Sequence, residues 1–146
     1  MKAVALVVSV SLLFWGCDRR GIAEPGVEIR VERKGQDYVF AFETCKGHKI
    51  GVTWIHLTEG LSVSEGREVP AHCMVYAPTT TPGLKGDWRY GSTPAGFVMK
   101  SCEPLARNKA YEVQVTGAGG GRRVFFVRGD GSVELREGSC SAAKSM

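Results

Sequence analysis

The sequence predicts an all-β domain, a sandwich or a small barrel of about eight short strands. Two observations predict it. Apolar and polar residues alternate in short runs, and nowhere do apolar residues recur at helical spacing for more than about a turn. Glycine is abundant, at 19 of 146 residues, and turn signals interrupt the runs every ~10 residues. The length allows one ordinary domain. With 43% hydrophobic and 23% charged residues, neither a disordered chain nor a polytopic membrane protein is expected.

The elements follow in order. Val27, Ile29 and Val31 alternate with Glu28, Arg30 and Glu32, the pattern of a half-buried strand. The group Lys34-Gly35-Gln36-Asp37 turns the chain into Tyr38–Phe42, whose aromatics share one face. After a turn at Lys46-Gly47, the stretch from Ile50 to Leu57 is apolar on both faces, as in a central strand, with Val52, Trp54 and His56 on one of them. Thr58–Glu68 reads as a loop and Val69–Ala77 as a shorter strand. Pro78–Gly96 has little periodicity. Strands resume at Phe97–Met99, Tyr111–Val115 and Val124–Val127. Asp130-Gly131 signals a two-residue hairpin that returns the chain through Val133 and Leu135.

One stretch is more specific. Leu105 stands six residues before Tyr111, and Val113 and Val115 alternate after it. This resembles the tyrosine corner of fibronectin type III and related immunoglobulin-like domains. The resemblance implies an immunoglobulin-like sandwich in which the Tyr111 hydroxyl ties a connection to nearby backbone. Trp54 is the candidate for the core tryptophan of such a sandwich.

At the N-terminus, Lys2 precedes an uncharged run from Ala3 to Trp15, and Asp18, Arg19 and Arg20 end it. The run suits the apolar region of a signal peptide and is short of the roughly 20 residues that a spanning helix needs. Phe14-Trp15-Gly16-Cys17 resembles a bacterial lipobox, which implies lipidation of Cys17. Cleavage after Gly21-Ile22-Ala23 and an uncleaved anchor are the alternatives. Each places the domain outside the cytoplasm, and the lipobox implies the periplasmic face of a bacterial membrane. The reading divides the chain into a signal peptide (residues 1–16), a lipidated cysteine and tether (17–25), one β domain (26–141) and a flexible tail (142–146).

Cysteine parity agrees with that reading. Setting Cys17 aside leaves Cys45, Cys73, Cys102 and Cys140, an even set for two disulfides in an oxidising compartment. Of the three pairings, Cys45–Cys73 with Cys102–Cys140 is favoured, because each bridge would close a local group of strands.

Chemistry is sparse. His48, His56 and His72 have no metal-ligand spacing, and no C-x-x-C occurs, so no metal or cofactor is expected. There is no G-x-S-x-G elbow. The Gly117–Gly121 run lacks the Lys-Ser/Thr of a phosphate loop. The +4 net charge is spread without a basic stripe, which argues against nucleic acid. No enzyme is expected, and a hydrolase would need His56 beside a carboxylate in an open cleft. What remains is the long segment Lys85–Phe97. Its Trp88, Arg89, Tyr90 and Phe97 are of the types that dominate interfaces, and they are read as a binding surface or as a cap on one end of the sandwich.

A signal with a lipobox, a single β domain and scattered cysteines is similar in layout to small periplasmic immunity lipoproteins directed against type VI secretion effectors. That likeness implies a binding protein whose partner is a secreted protein. A glycan- or peptidoglycan-binding module and a structural subunit of an envelope complex are the alternatives.

Overall fold

The structure, a computed structural model, describes residues 26–61, 63–64, 66–78 and 83–140. The expected signal peptide, Cys17, its tether and the tail beyond residue 141 lie outside the described residues.

The strands are β1 (Val27–Lys34), β2 (Asp37–Thr44), β3 (Val52–Glu59), β4 (Val63–Ser64), β5 (Arg67–Glu68), β6 (Cys73–Tyr76), β7 (Trp88–Arg89), β8 (Val98–Lys100), β9 (Lys109–Gly117), β10 (Gly121–Val127) and β11 (Val133–Gly138). One sheet has the order β1-β2-β7 and the other β11-β10-β9-β3-β6-β8, while β4 and β5 form a separate hairpin. The sheets are not closed on each other, so the fold is a two-sheet sandwich and not a barrel. The chain changes sheet between β2 and β3, between β6 and β7, and between β7 and β8.

Local chemistry accounts for the elements. Val27, Ile29 and Val31 face inward on β1, and Phe40 and Phe42 do so on β2. Gly35, at φ +64°, takes the left-handed turn that joins the two strands. The six-stranded sheet contributes Ile55, Leu57, Val75, Tyr111, Val113, Val115, Phe125 and Val127 to the same core. Phe40 meets the edge of Phe125 across the sandwich, with centroids 5.7 Å apart. Tyr111 stacks on Phe125 at 5.6 Å, and its hydroxyl accepts a hydrogen bond from the Ala106 amide at 2.8 Å. Leu105 packs half-buried against the same core.

Several expectations are corrected. The loop expected at 58–68 is shorter, because Thr58 and Glu59 stay in register with Glu112 and Tyr111 of the long strand β9. The hairpin β4–β5 follows within it. The return at Asp130-Gly131 is a three-residue turn: Arg128 and Ser132 close it, and Gly131 sits at φ +85°. The disulfides are Cys45–Cys140 and Cys73–Cys102, with Cα atoms 5.4 and 4.0 Å apart. Neighbours in space here are distant in sequence. Cys45 follows β2 and lies beside Gly26, and Cys140 follows β11, so the first bridge joins the two sheets. Cys73 and Cys102 flank the β6–β8 pairing at the edge of the larger sheet.

Candidate functional site on the outer face of the larger sheet

Trp88, Arg89, Tyr90 and Phe97, expected as a binding surface or a cap, divide between core and surface. Trp88 is 1% exposed, packs on Phe40 at 5.0 Å, and donates its indole N–H to the Ser92 carbonyl at 2.9 Å. Phe97 is buried in the same core. Tyr90 is half-buried, and its hydroxyl donates to the Glu103 carbonyl; burial pushes its pKa well up, so it stays a neutral donor. Of the four, only Arg89 is exposed, and it lies 3.9 Å from Asp37. Trp88 and Phe97 are therefore walls of the core and are not available to a partner. Of the two tryptophans among the described residues, Trp88 and not Trp54 is the buried one. Its strand, Trp88–Arg89, is only two residues long, too short to show alternation in the sequence.

Trp54 instead stands on the outer face of the six-stranded sheet. Sequence alternation places Val52, Trp54 and His56 together, but an irregularity in the β3–β9 pairing between Val52 and Trp54 separates them. Val52 turns into the core, while Trp54 and His56 remain outside. Gly117 permits the bulge, because a Cβ there would lie 2.3 Å from the Gly51 carbonyl oxygen.

Register then assembles the face. Tyr76 on β6 and Thr116 on β9 flank Trp54, and Met74 and Gln114 flank His56. Beyond Gln114 lies Arg122 on β10. The Trp54 and His56 rings stack at 5.0 Å with planes 10° apart. Lys100 lies over the Tyr76 ring at 5.6 Å, and Arg136 lies over Phe126 at 4.7 Å. Glu112 is 3% exposed; it accepts hydrogen bonds from Gln114 at 2.6 Å and Arg122 at 2.9 Å. These donors stabilise the carboxylate in a place where burial alone would disfavour its charge.

His56 is itself only 9% exposed. Burial holds its pKa below the ordinary imidazole value, against the opposing pull of Glu68 and Glu112. His56 and carboxylates are thus neighbours, but the histidine lies under its surroundings and not in an open cleft. Among the described residues, no group of three or more His, Cys, Asp or Glu side chains is placed to hold a metal ion.

Chemically, the face offers half-buried tryptophan, tyrosine, methionine and phenylalanine rimmed by arginine, lysine and glutamine. That composition suits association by partial desolvation with a polar rim. The sequence did carry one sign of it: β3 is apolar on both faces, and Met74 and Tyr76 repeat the alternation on β6. The outer face of the smaller sheet is different. It holds an open depression of about 210 Å³ between Arg30, Glu32, Lys34 and Glu43, with Arg30 paired to Glu43. No protein-family model, curated protein or solved structure matches this chain.

Proposed function

We propose that this chain is a non-catalytic binding protein, exported and held at the periplasmic face of a bacterial membrane by lipid on Cys17, which recognises a protein partner through the outer face of its larger sheet. The observation that carries the reading is the stacked Trp54–His56 pair beside Tyr76, a fixed aromatic patch on a rigid sheet. Large, rigid aromatic side chains lose little entropy on binding and concentrate binding energy. The layout of leader, cysteine and single β domain supports a secreted effector as the partner and immunity or inhibition as the role. The Tyr111–Ala106 hydrogen bond and the exchange of strands between sheets support an immunoglobulin-like reading of the fold.

The test is capture by the full chain, extracted in mild detergent, of secreted proteins from the source organism and, separately, of purified sacculi. Wild type is compared with Trp54→Ala/Tyr76→Ala and with Arg89→Ala. A polypeptide held by wild type and by Arg89→Ala, and lost by the double variant, supports the reading. Retention on sacculi alone would replace it with a glycan-binding module, in which the same rings act as stacking platforms. Intact mass of the membrane-extracted protein tests the anchor: diacyl or triacyl addition at Cys17 is expected, and an unmodified chain beginning at Glu24 would refute it.

A further inference from the structure

On one side of the sandwich the outermost strands of the two sheets are joined to each other. Arg123 donates to the Ile29 carbonyl on β1 and to the Arg136 carbonyl on β11, and the Cys45–Cys140 disulfide links the two sheets. On the other side the larger sheet ends in β8, Val98–Lys100. Among the described residues, the backbone of these three residues bonds to β6 alone. Val98 and Met99 are 37% and 38% exposed, and Lys100 is exposed as well.

The edge is nevertheless fixed as a strand. A turn closed by the Phe97 amide on the Pro94 carbonyl, at 3.0 Å, leads into it. Beyond it, Ser101 at φ +49° ends the extended run, and the Cys73–Cys102 disulfide ties the chain to the start of β6. The Glu103 amide then donates to the His72 carbonyl at 3.3 Å. Strand geometry is therefore held in advance, with backbone donors and acceptors that another extended chain can pair in series.

Register carries the outer face of the larger sheet onto this edge. Trp54, Tyr76 and Val98 form one cross-strand row, and His56, Met74 and Lys100 form the next. Met99 stands opposite the buried Val75 and points to the inner side. Lys100 lies over the Tyr76 ring and forms no ion pair among the described residues. A lysine on an edge works against pairing with a second copy of the same edge. A carboxylate placed opposite it makes a favourable cross-strand pair.

We infer that β8 is the edge to which the protein partner adds an antiparallel strand, an extended segment with a carboxylate opposite Lys100 and an aromatic or branched apolar side chain opposite Val98. The inference rests on the proposed recognition of a protein partner and gives that contact its form. A strand added here lengthens the Trp54–Tyr76–Val98 row by one side chain. Main-chain bonds supply affinity, and the side chains opposite Val98 and Lys100 supply register and selectivity. Antiparallel pairing continues the sense of β6–β8 and is the more stable arrangement per residue.

The experiment uses the full chain in mild detergent and a short capped peptide with glutamate, valine and tyrosine in that order at its centre, flanked by threonine. Two isomers of the peptide carry N-methyl groups on alternate amides, so that one loses the donors facing β8 and the other only those facing solvent. Binding of the parent peptide with protection of Val98–Lys100 from hydrogen exchange is expected. One N-methylated isomer should bind about tenfold more weakly and the other like the parent. Lys100→Glu, a change at an exposed position, should weaken the parent about fivefold. Absence of binding, equal binding by both isomers, or protection elsewhere than β8 would overturn the inference. Self-association of the chain without peptide, protecting the same residues, would replace the partner segment by a second copy. The capture experiment above separates the two readings. Ladder formation on β8 while Trp54→Ala/Tyr76→Ala still captures like wild type would uphold the edge and refute the Trp54 patch. Capture lost in that double variant, with β8 unprotected in the wild-type complex, would uphold the patch and overturn the edge.

Discussion

Trp54 and His56, two residues apart on β3, stack with their ring planes 10° apart and stand on the outer face of the sheet. Parallel rings at this spacing hold each other upright, so the pair is ordered on the sheet. Pre-ordering lowers the entropy cost of association. The two tryptophans described, Trp54 and Trp88, therefore sit in opposite environments, one on a sheet face and one in the core, and substitution separates them.

Trp88→Ala removes a fully buried ring from between Phe40 and Tyr90 and leaves a cavity. A loss of about 3–5 kcal/mol is expected. Trp54→Ala empties a half-buried surface site and is expected to cost under ~1.5 kcal/mol while weakening partner capture. Urea unfolding of the two variants checks the contrast; equal losses would mean that Trp54 is a core residue in solution.

His56 gives the domain a pH dependence of defined sign. Burial lowers its pKa in the folded chain below the ordinary 6.5, so the unfolded chain takes up the proton first. The stabilisation is complete above that value and is lost as pH falls through it toward the folded pKa. His56→Gln is expected to flatten stability between pH ~7.5 and pH ~5.5 relative to wild type. Urea midpoints at the two pH values read this directly, and an unchanged slope would refute it.

The sequence showed most of the sandwich and little of its surface chemistry. Strands long enough to alternate, such as β1 and β2, could be read residue by residue, and Tyr111 was legible through Leu105 and the flanking valines. Trp88 was not legible, because a two-residue strand carries no period. The bulge at Val52/Trp54 was not either: it reverses one side chain without altering the pattern of residue types. Disulfide pairing depends on which strand ends meet: β6 beside β8 within one sheet for Cys73–Cys102, and the end of β2 against the end of β11 between the sheets for Cys45–Cys140. The Trp54 face needs register between three strands, which no local window contains.

The two disulfides differ in reach, with sequence separations of 95 and 29 residues. Closing the longer loop restricts the unfolded chain more, by roughly 1 kcal/mol in the chain-entropy treatment. Cys45→Ser/Cys140→Ser is therefore expected to destabilise more than Cys73→Ser/Cys102→Ser. Peptide mapping of unreduced protein should recover the pairs 45–140 and 73–102. Recovery of 45–73 would overturn the topology at the chain ends.

Tyr111→Phe deletes one oxygen from a fully buried ring and leaves the Ala106 amide without its partner. The expected cost is about 1–2 kcal/mol. Faster hydrogen exchange at Ala106, with little change elsewhere in the 105–111 connection, distinguishes a lost hydrogen bond from a general loosening.

Arg123 carries the last prediction. This buried arginine reaches from β10 to the smaller sheet, donating from Nε to the Ile29 carbonyl at 2.9 Å and from Nη2 to Glu28 at 2.6 Å, while Nη1 donates to the Arg136 carbonyl at 2.9 Å. It thereby caps the free edge of β1, which would otherwise present unpaired backbone. Gly138 makes room for it: a Cβ there would lie 2.8 Å from the guanidinium carbon. Arg123→Met keeps the stem but strands a partly buried carboxylate and two carbonyls, and should cost about 3–5 kcal/mol. The double variant Arg123→Met/Glu28→Gln removes the stranded charge and should recover part of that loss. Chemical denaturation of both variants tests the account. No recovery in the double variant would place the cost in the two carbonyl bonds and not in the ion pair.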